Sequence, residues 1–279
     1  MKNILVIGAN GMLGIAVSNY FESAGYAVSR LTRREFDIAR QPVDAIAGLV
    51  KMQDVVINCA GVIKPRIAET SFEDILRVNS VFPKNLAKQC IRSDTKCIHV
   101  TTDCVFSGKK GSYTEQDPYD AEDVYGLSKA AGDTRDCMTL RTSIIGPENG
   151  QQRSLLEWVL SQKGKEVNGF TNHRWNGVTT LQLSKIIEAI LQNGKYSPGI
   201  FHIFSPEAVS KYRLLQEINR VYGLDLTIHP VEPEVAVDRS LASVFSYSKK
   251  FSTVPIEKQL AELREFFTGE KRGSLARAV

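Results

Sequence analysis

Cysteine pairs, long apolar runs and a strong excess of one charge are all missing from this 279-residue chain. Its five cysteines, Cys59, Cys90, Cys97, Cys104 and Cys137, are odd in number and form no CxxC pair. That excludes a disulfide framework and a zinc ribbon, and no metal is expected. No stretch approaches the ~20 apolar residues of a membrane span, and the opening MKNILVIGANG meets glycine and asparagine too soon for a signal peptide. A reducing, cytoplasmic compartment with no membrane partner is the resulting expectation. The net charge is only +4 and the basic residues are scattered, which argues against a nucleic-acid polymer as partner. Hydrophobic residues at 43% and charged residues at 24% describe ordinary globular material, long enough for one large domain or two intimate ones.

What is present is a rhythm. NILVIG is a short apolar run ending in glycine, and from Met12 to Ser23 apolar residues recur at helical spacing. Strands are predicted at Ala27 to Leu31, at residues 54–58 (DVVIN), 96–101 (KCIHVT) and at MTLRTS, with helices at Val43 to Lys51, Phe72 to Ile91 and around Tyr125. Pro83 should kink or interrupt the long helix. Apolar strands alternating with helices predict a doubly wound, Rossmann-type α/β domain with a parallel sheet covered on both faces. The expected division is a cofactor-binding domain over 1–145, with a returning segment at 175–204, and a smaller mixed α/β substrate lobe over most of 146–279. In that lobe helices are predicted at Leu155 to Gln162, Thr180 to Gln192, Lys211 to Tyr222 and Ile256 to Thr268, and the last residues read as a frayed tail. A ligand would lie between the lobes, at the carboxyl edge of the sheet.

The first turn reads GANGMLG, with Gly8, Gly11 and Gly14 between a strand and a helix. Glycine lets backbone N–H groups approach a diphosphate, and the helix N-terminus adds partial positive charge. A turn needing glycine for packing alone would look the same. At the end of the second strand no acid precedes Glu35, whereas Arg30, Arg33 and Arg34 are available, so a 2′-phosphate is favoured over a bare ribose and NADPH over NADH.

Tyr125 and Lys129 stand four residues apart in VYGLSK. On a helix that spacing puts both on one face. A phenol titrates near pH ~10, and an ammonium beside it favours phenolate, bringing the hydroxyl toward useful proton transfer. Packing for the tyrosine and solvent for the lysine is the plainer alternative.

Taken in order, these motifs resemble the extended short-chain dehydrogenase/reductases, and within them the dTDP-4-dehydrorhamnose reductase group. GANGMLG is similar to that family's glycine turn, placing Gly8, Asn10, Gly11, Met12 and Leu13 at the cofactor; FDI, with Asp37 and Ile38, resembles the segment bordering the adenine. NCAG, with Cys59, Ala60 and Gly61, resembles the loop under the ribose, and VNS brings Asn79 as the helix asparagine. TTDCVFSG and VYGLSK resemble the catalytic stretches, and LRTSIIG the strand and loop beyond them. The resemblance implies a catalytic set of Thr102, Tyr125 and Lys129: Tyr125 donating a proton to a carbonyl oxygen, Thr102 bonding that oxygen, and Lys129 steadying the phenolate and holding the nicotinamide ribose. Thr101, also in the cofactor set, competes with Thr102 for the hydroxyl role, because strand alternation points only one of them inward.

Related 4,6-dehydratases resemble TDE where this chain has TDC. A neutral thiol at Cys104 cannot replace a carboxylate in that elimination, so a reductase is expected instead. Asp103 could contact substrate or orient its loop. FTNHRWNGVTT resembles the segment closing the substrate pocket, with Arg174 meeting a diphosphate and Trp175 stacking on a base or sugar; a buried Trp and a surface Arg are the alternative, and His173 reads as surface. This segment differs from a true rhamnose-pathway sequence, which leaves the sugar open.

The implied function is NADPH-dependent reduction at C4 of a nucleotide-linked 4-keto-6-deoxy sugar for polysaccharide synthesis, by a homodimer. An NAD-dependent sugar-nucleotide 4-epimerase is one alternative. A non-catalytic regulatory subunit resembling the methionine adenosyltransferase β subunit is the other.

Overall fold

The computed structural model describes residues 2–148 and 154–269; the tail predicted beyond them lies outside the described residues. The chain runs β1 (Asn3–Ile7), α1 (Met12–Ser23), β2 (Ala27–Leu31), α2 (Ala47–Lys51), β3 (Val55–Asn58), α3 (Phe72–Leu76), α4 (Phe82–Arg92), β4 (Lys96–Thr102), α5 (Val124–Gly132), β5 (Met138–Thr142) and β6 (Ile144–Ile145). It continues through α6 (Leu155–Ser161), β7 (Glu166–Phe170), β8 (His173–Trp175), β9 (Val178–Thr179), α7 (Thr180–Gln192), β10 (Gly199–His202), β11 (Val209–Ser210), α8 (Lys211–Tyr222), β12 (Thr227–Val231), β13 (Val237–Asp238), α9 (Ser246–Phe251) and α10 (Ile256–Thr268).

Six strands form one parallel sheet in the order β10-β5-β4-β3-β1-β2. Both faces are covered, as the apolar runs of β1 and β3 require. On one face Ile4, Val6, Ile98 and Val100 pack with Val17 and Phe21 of α1 and with Ile186 and Ile190 of α7. On the other, Leu5, Ile7 and Val56 meet Leu86, Ala87 and Cys90 of α4. The strand order reverses between β1 and β3, which opens a crevice at their carboxyl ends.

A second core joins α6, α8 and α10 around Leu156, Leu214, Ile218 and Leu260. Small sheets edge it: β12 pairs with β7, and β8 lies between β11 and β13. Most of these short strands were not read from the sequence, since two or three residues carry no alternation.

The helix predicted from Phe72 to Ile91 is interrupted, but ahead of Pro83 rather than at it. Residues 77–81 form a π-helical turn between α3 and α4, with Pro83 within the first turn of α4. Proline has no N–H, so the carbonyl of Asn79 loses its helical donor; the wider turn accommodates this, and that carbonyl presses against the Gly132 backbone of α5 instead.

Candidate active site

β1 delivers the chain to Gly8, whose φ of +78° favours glycine. A Cβ there would stand 2.8 Å from the N and Cα of Ala60, at the end of β3, so the two loops at the switch point touch through backbone alone. Gly11 then caps α1 with no side-chain acceptor, and the first turn of α1 holds no acid. Its N–H groups and dipole remain available to an anion. Asn10 and Gly11 are exposed, Met12 is half-buried and Leu13 is core.

At the end of β2 the three arginines part company. Arg30 turns back onto α1, bonding Glu22 at 2.7 Å and Asn19 at 2.7 Å. Arg33, 72% exposed, meets Asp37 at 3.3 Å, and the exposed Arg34 makes no hydrogen bond or ion pair among the described residues. Glu35 accepts from the Thr32 N–H at 2.7 Å and its hydroxyl at 2.8 Å, which hold its carboxyl below the usual range and leave it committed to its own turn. Ile38 is half-buried on the same loop.

The loop after β3 is held from below. Asn58, fully buried, bonds His99 Nδ1 at 3.1 Å and accepts from the Ala60 N–H at 3.1 Å. Asn79, in the π turn, accepts from the Val62 N–H at 2.8 Å and donates to the Val62 carbonyl and the Ser128 hydroxyl at 3.0 Å each. That side chain ties loop 61–62 to α5. Lys129 sits beneath the loop, 6% exposed, its Nζ 3.2 Å from where a Cβ on Gly61 would stand. Burial pulls the Lys129 pKa down while Asp133 and Cys59 push it up. Burial, aided by the Lys129 charge, also takes His99 well below its ordinary value and keeps it neutral.

Asp123 caps α5 by accepting from the Gly126 N–H at 2.7 Å, and the absent side chain of Gly126 lets the helix press onto the Cys104 carbonyl. This brings Tyr125 to the end of β4, beside the side chains of Thr102, Asp103 and Cys104, which all act on its proton. The Thr102 hydroxyl also donates to Asp103 at 3.2 Å and accepts from the Cys104 N–H at 3.1 Å. Thr101 points the other way, buried, its hydroxyl without a partner among the described residues. The phenol does not behave as the spacing argument had it. Burial pushes the Tyr125 pKa up, Cys104 and the carboxyls of Asp103 and Asp123 add to the rise, and the neighbouring Thr102 hydroxyl opposes it. Burial outweighs the ammonium a turn away, so the expected lowering is corrected: the hydroxyl stays protonated at neutral pH. Cys104 is likewise pushed up to about 12, chiefly by burial, and remains a neutral thiol.

The comparisons bear on this arrangement. The family model described as the RmlD substrate binding domain matches residues 1–268. The chain belongs to that family. Among curated relatives of the family, the chain is 27% identical over 241 residues to the spore coat polysaccharide biosynthesis protein SpsK of Bacillus subtilis, covering 84% of each. It is 36% identical over 138 residues to the dTDP-4-dehydrorhamnose reductase of Mycolicibacterium smegmatis, covering 47% of this chain and 40% of that one. Among solved structures, the dTDP-4-dehydrorhamnose reductase of Bacillus anthracis in complex with NADP superposes with a TM-score of 0.78 at 18% identity, covering 96% and 99%.

Within this family member the segment holding Arg174 and Trp175 is drawn into structure. Trp175 is 5% exposed, and its Nε1 donates to the Ser143 hydroxyl at 2.7 Å. Arg174 donates to the Ala208 carbonyl at 3.0 Å and lies 3.8 Å from Asp238, tying β8 to its neighbours. His173 lies half-buried at 3.2 Å from the Val235 carbonyl. Asp103 is buried, its carboxyl raised by burial and drawn down by Arg239 and Lys211. Sequence reasoning missed those two cations, because Lys211 looks like any helix-starting lysine and Arg239 sits in a stretch with no motif.

Proposed function

We propose that this protein is a reductase of a nucleotide-linked 4-keto-6-deoxy sugar, giving the C4 hydroxyl, with NADPH as cofactor, in the synthesis of a surface polysaccharide or related glycan. The observation that carries the reading is a half-buried, protonated Tyr125 beside Thr102, with the buried Lys129 one turn further along the same helix. The crevice fits a dinucleotide: Gly8 and Ala60 meet by backbone, the N-terminus of α1 is uncapped, and Lys129 lies under Gly61. NADPH bound there supplies the hydride. Tyr125 holds the proton that the reduced oxygen takes up, Thr102 orients that oxygen, and Lys129 steadies the phenolate left behind. The division of labour gives cofactor binding to 1–145 with 175–204, including Asn10, Asp37, Ile38 and Asn79, and substrate binding to the rest, with Asp103 bordering it; the buried Thr101, turned away from Tyr125, would serve the cofactor through its backbone alone. A homodimer in a reducing compartment is part of the same reading; all five cysteines are free.

Mixing the protein and NADPH with a panel of nucleotide-linked 4-keto-6-deoxy sugars, and following absorbance at the nicotinamide band, should show oxidation with at least one member. Tight NADPH binding with no oxidation by any member would sink the reading and favour an epimerase or a regulatory subunit. Arg33→Ala and Arg34→Ala should weaken NADPH more than NADH, because only NADPH carries the 2′-phosphate. Equal losses in titrations with the two cofactors would remove the argument for NADPH.

A further inference from the structure

Each exposed cation beside the reaction centre has a carboxylate. Lys64 meets Asp123 at 2.6 Å and Arg174 lies 3.8 Å from Asp238. Lys211 has none: among the described residues its ammonium makes no hydrogen bond and no ion pair, and its near neighbour is the Trp175 ring, 5.1 Å away. Burial draws the Lys211 pKa down, Asp103 and Cys104 oppose that, and Arg239 repels it. Arg239 spends its Nε on the Phe106 carbonyl at 2.9 Å, while its Nη nitrogens make no hydrogen bond among the described residues. Two cations without an ion pair among the described residues thus both act on the buried carboxyl of Asp103. An enclosed positive pair of this kind is stabilised by an anion.

Lys211 also lines a cavity of about 650 Å³ formed by α6, β7 and α8 of the second core. Trp158 of α6 and Phe170 of β7, both partly exposed, stand in its wall, with the amides of Gln162 and Asn168 as hydrogen-bonding groups. Flat apolar walls with a few amides suit a nucleobase. The lysine starts α8, whose Ser210 cap takes the Arg213 N–H at 3.1 Å, so a fixed helix end holds it at the cavity wall, within electrostatic reach of Asp103 and Cys104.

We propose that Lys211, seconded by Arg239, receives the diphosphate of the nucleotide-linked sugar, with the nucleoside in the cavity and the sugar reaching toward Thr102 and Tyr125. This rests on the reductase reading and adds the residues that hold the substrate's charge. Calorimetric titration of thymidine, uridine and guanosine beside their 5′-diphosphates tests it without turnover. The preferred diphosphate should bind wild type at least about tenfold tighter than its nucleoside. Lys211→Met should lose most of that difference, Arg239→Gln part of it, and Lys211→Arg little, with nucleoside and NADPH affinity unchanged and the thermal melt confirming a folded protein. Equal weakening of nucleoside and diphosphate, unaltered diphosphate binding, or no diphosphate binding to wild type would each overturn the proposal. Failure of every keto sugar to oxidise NADPH, with the diphosphate preference intact and sensitive to Lys211, would instead count against the reductase reading alone.

Discussion

Replacing Tyr125 with phenylalanine is expected to lower kcat for ketone reduction by about 10²-fold or more, with cofactor affinity nearly unchanged. The phenol is the protonated group beside Thr102, and the structure offers no ready substitute. Cys104 is an acid too weak to replace it, its thiol pushed up to about 12, and Asp103 already accepts from the Thr102 hydroxyl. Because the ring is held by α5 and by burial rather than by its hydroxyl, phenylalanine should keep the packing. The sign of the pH effect follows from the same burial. A proton donor works in its protonated form, and burial raises the Tyr125 pKa, so reduction should persist through neutral pH and fall only on the alkaline side. Steady-state kinetics over pH, on wild type and Tyr125→Phe, checks both points. Near-normal turnover in the mutant would remove Tyr125 from its role.

A second large effect is expected on stability, at a place the site depends on without containing. Arg141 and Asp133 form an ion pair at 2.7 Å with each side chain 1% exposed. The guanidinium lies between the rings of Phe106 and Tyr119, at 5.1 and 4.9 Å, and bonds the Tyr119 hydroxyl and His202 Nε2 at 2.8 Å each. His202 Nδ1 faces the carbonyls of Tyr113 and Ala242 at 3.1 and 2.8 Å, so it carries the proton and leaves Nε2 to accept from Arg141. Burial, reinforced by Arg141, lowers the His202 pKa to about 4, which keeps the imidazole neutral. Arg141→Met would leave Asp133 charged and unpaired in the interior. Breaking such a pair from one side costs about 3–5 kcal/mol, or roughly 10 °C in Tm for a chain of this size. Thermal melts of Arg141→Met and of Arg141→Met with Asp133→Asn test this: the single mutant should fall that far and the double should recover part. A single mutant melting within about 2 °C of wild type would mean that the pair contributes little net stability.

The two predictions separate what the sequence displays from what it conceals. GANGMLG, NCAG, TTD and VYGLSK are short, ordered and locally determined: each sits where a strand ends or a helix begins, and its spacing alone fixes which side chains share a face. From such stretches the doubly wound class, the glycine turn and the Tyr125–Lys129 pair are legible, because hydrophobic period and turn chemistry act over a few residues. Register points to Thr102 rather than Thr101, although alternation by itself says only that one of them faces in; the placing of α5 against Cys104, through Gly126, sets Tyr125 beside Thr102. The phenol's proton affinity went against the local reading, because burial by distant segments outweighs one lysine a turn away. Trp175 and Arg174 were spent by partners in β11, β13 and the loop after β5. Lys211 and Arg239 come from far along the chain, and no spacing links them to Asp103. Sequence by itself determined the longer elements and the family's motifs, since these depend on neighbours in the chain. Tertiary structure alone decided which charges go unpaired and which groups are buried, since desolvation and electrostatics depend on neighbours in space.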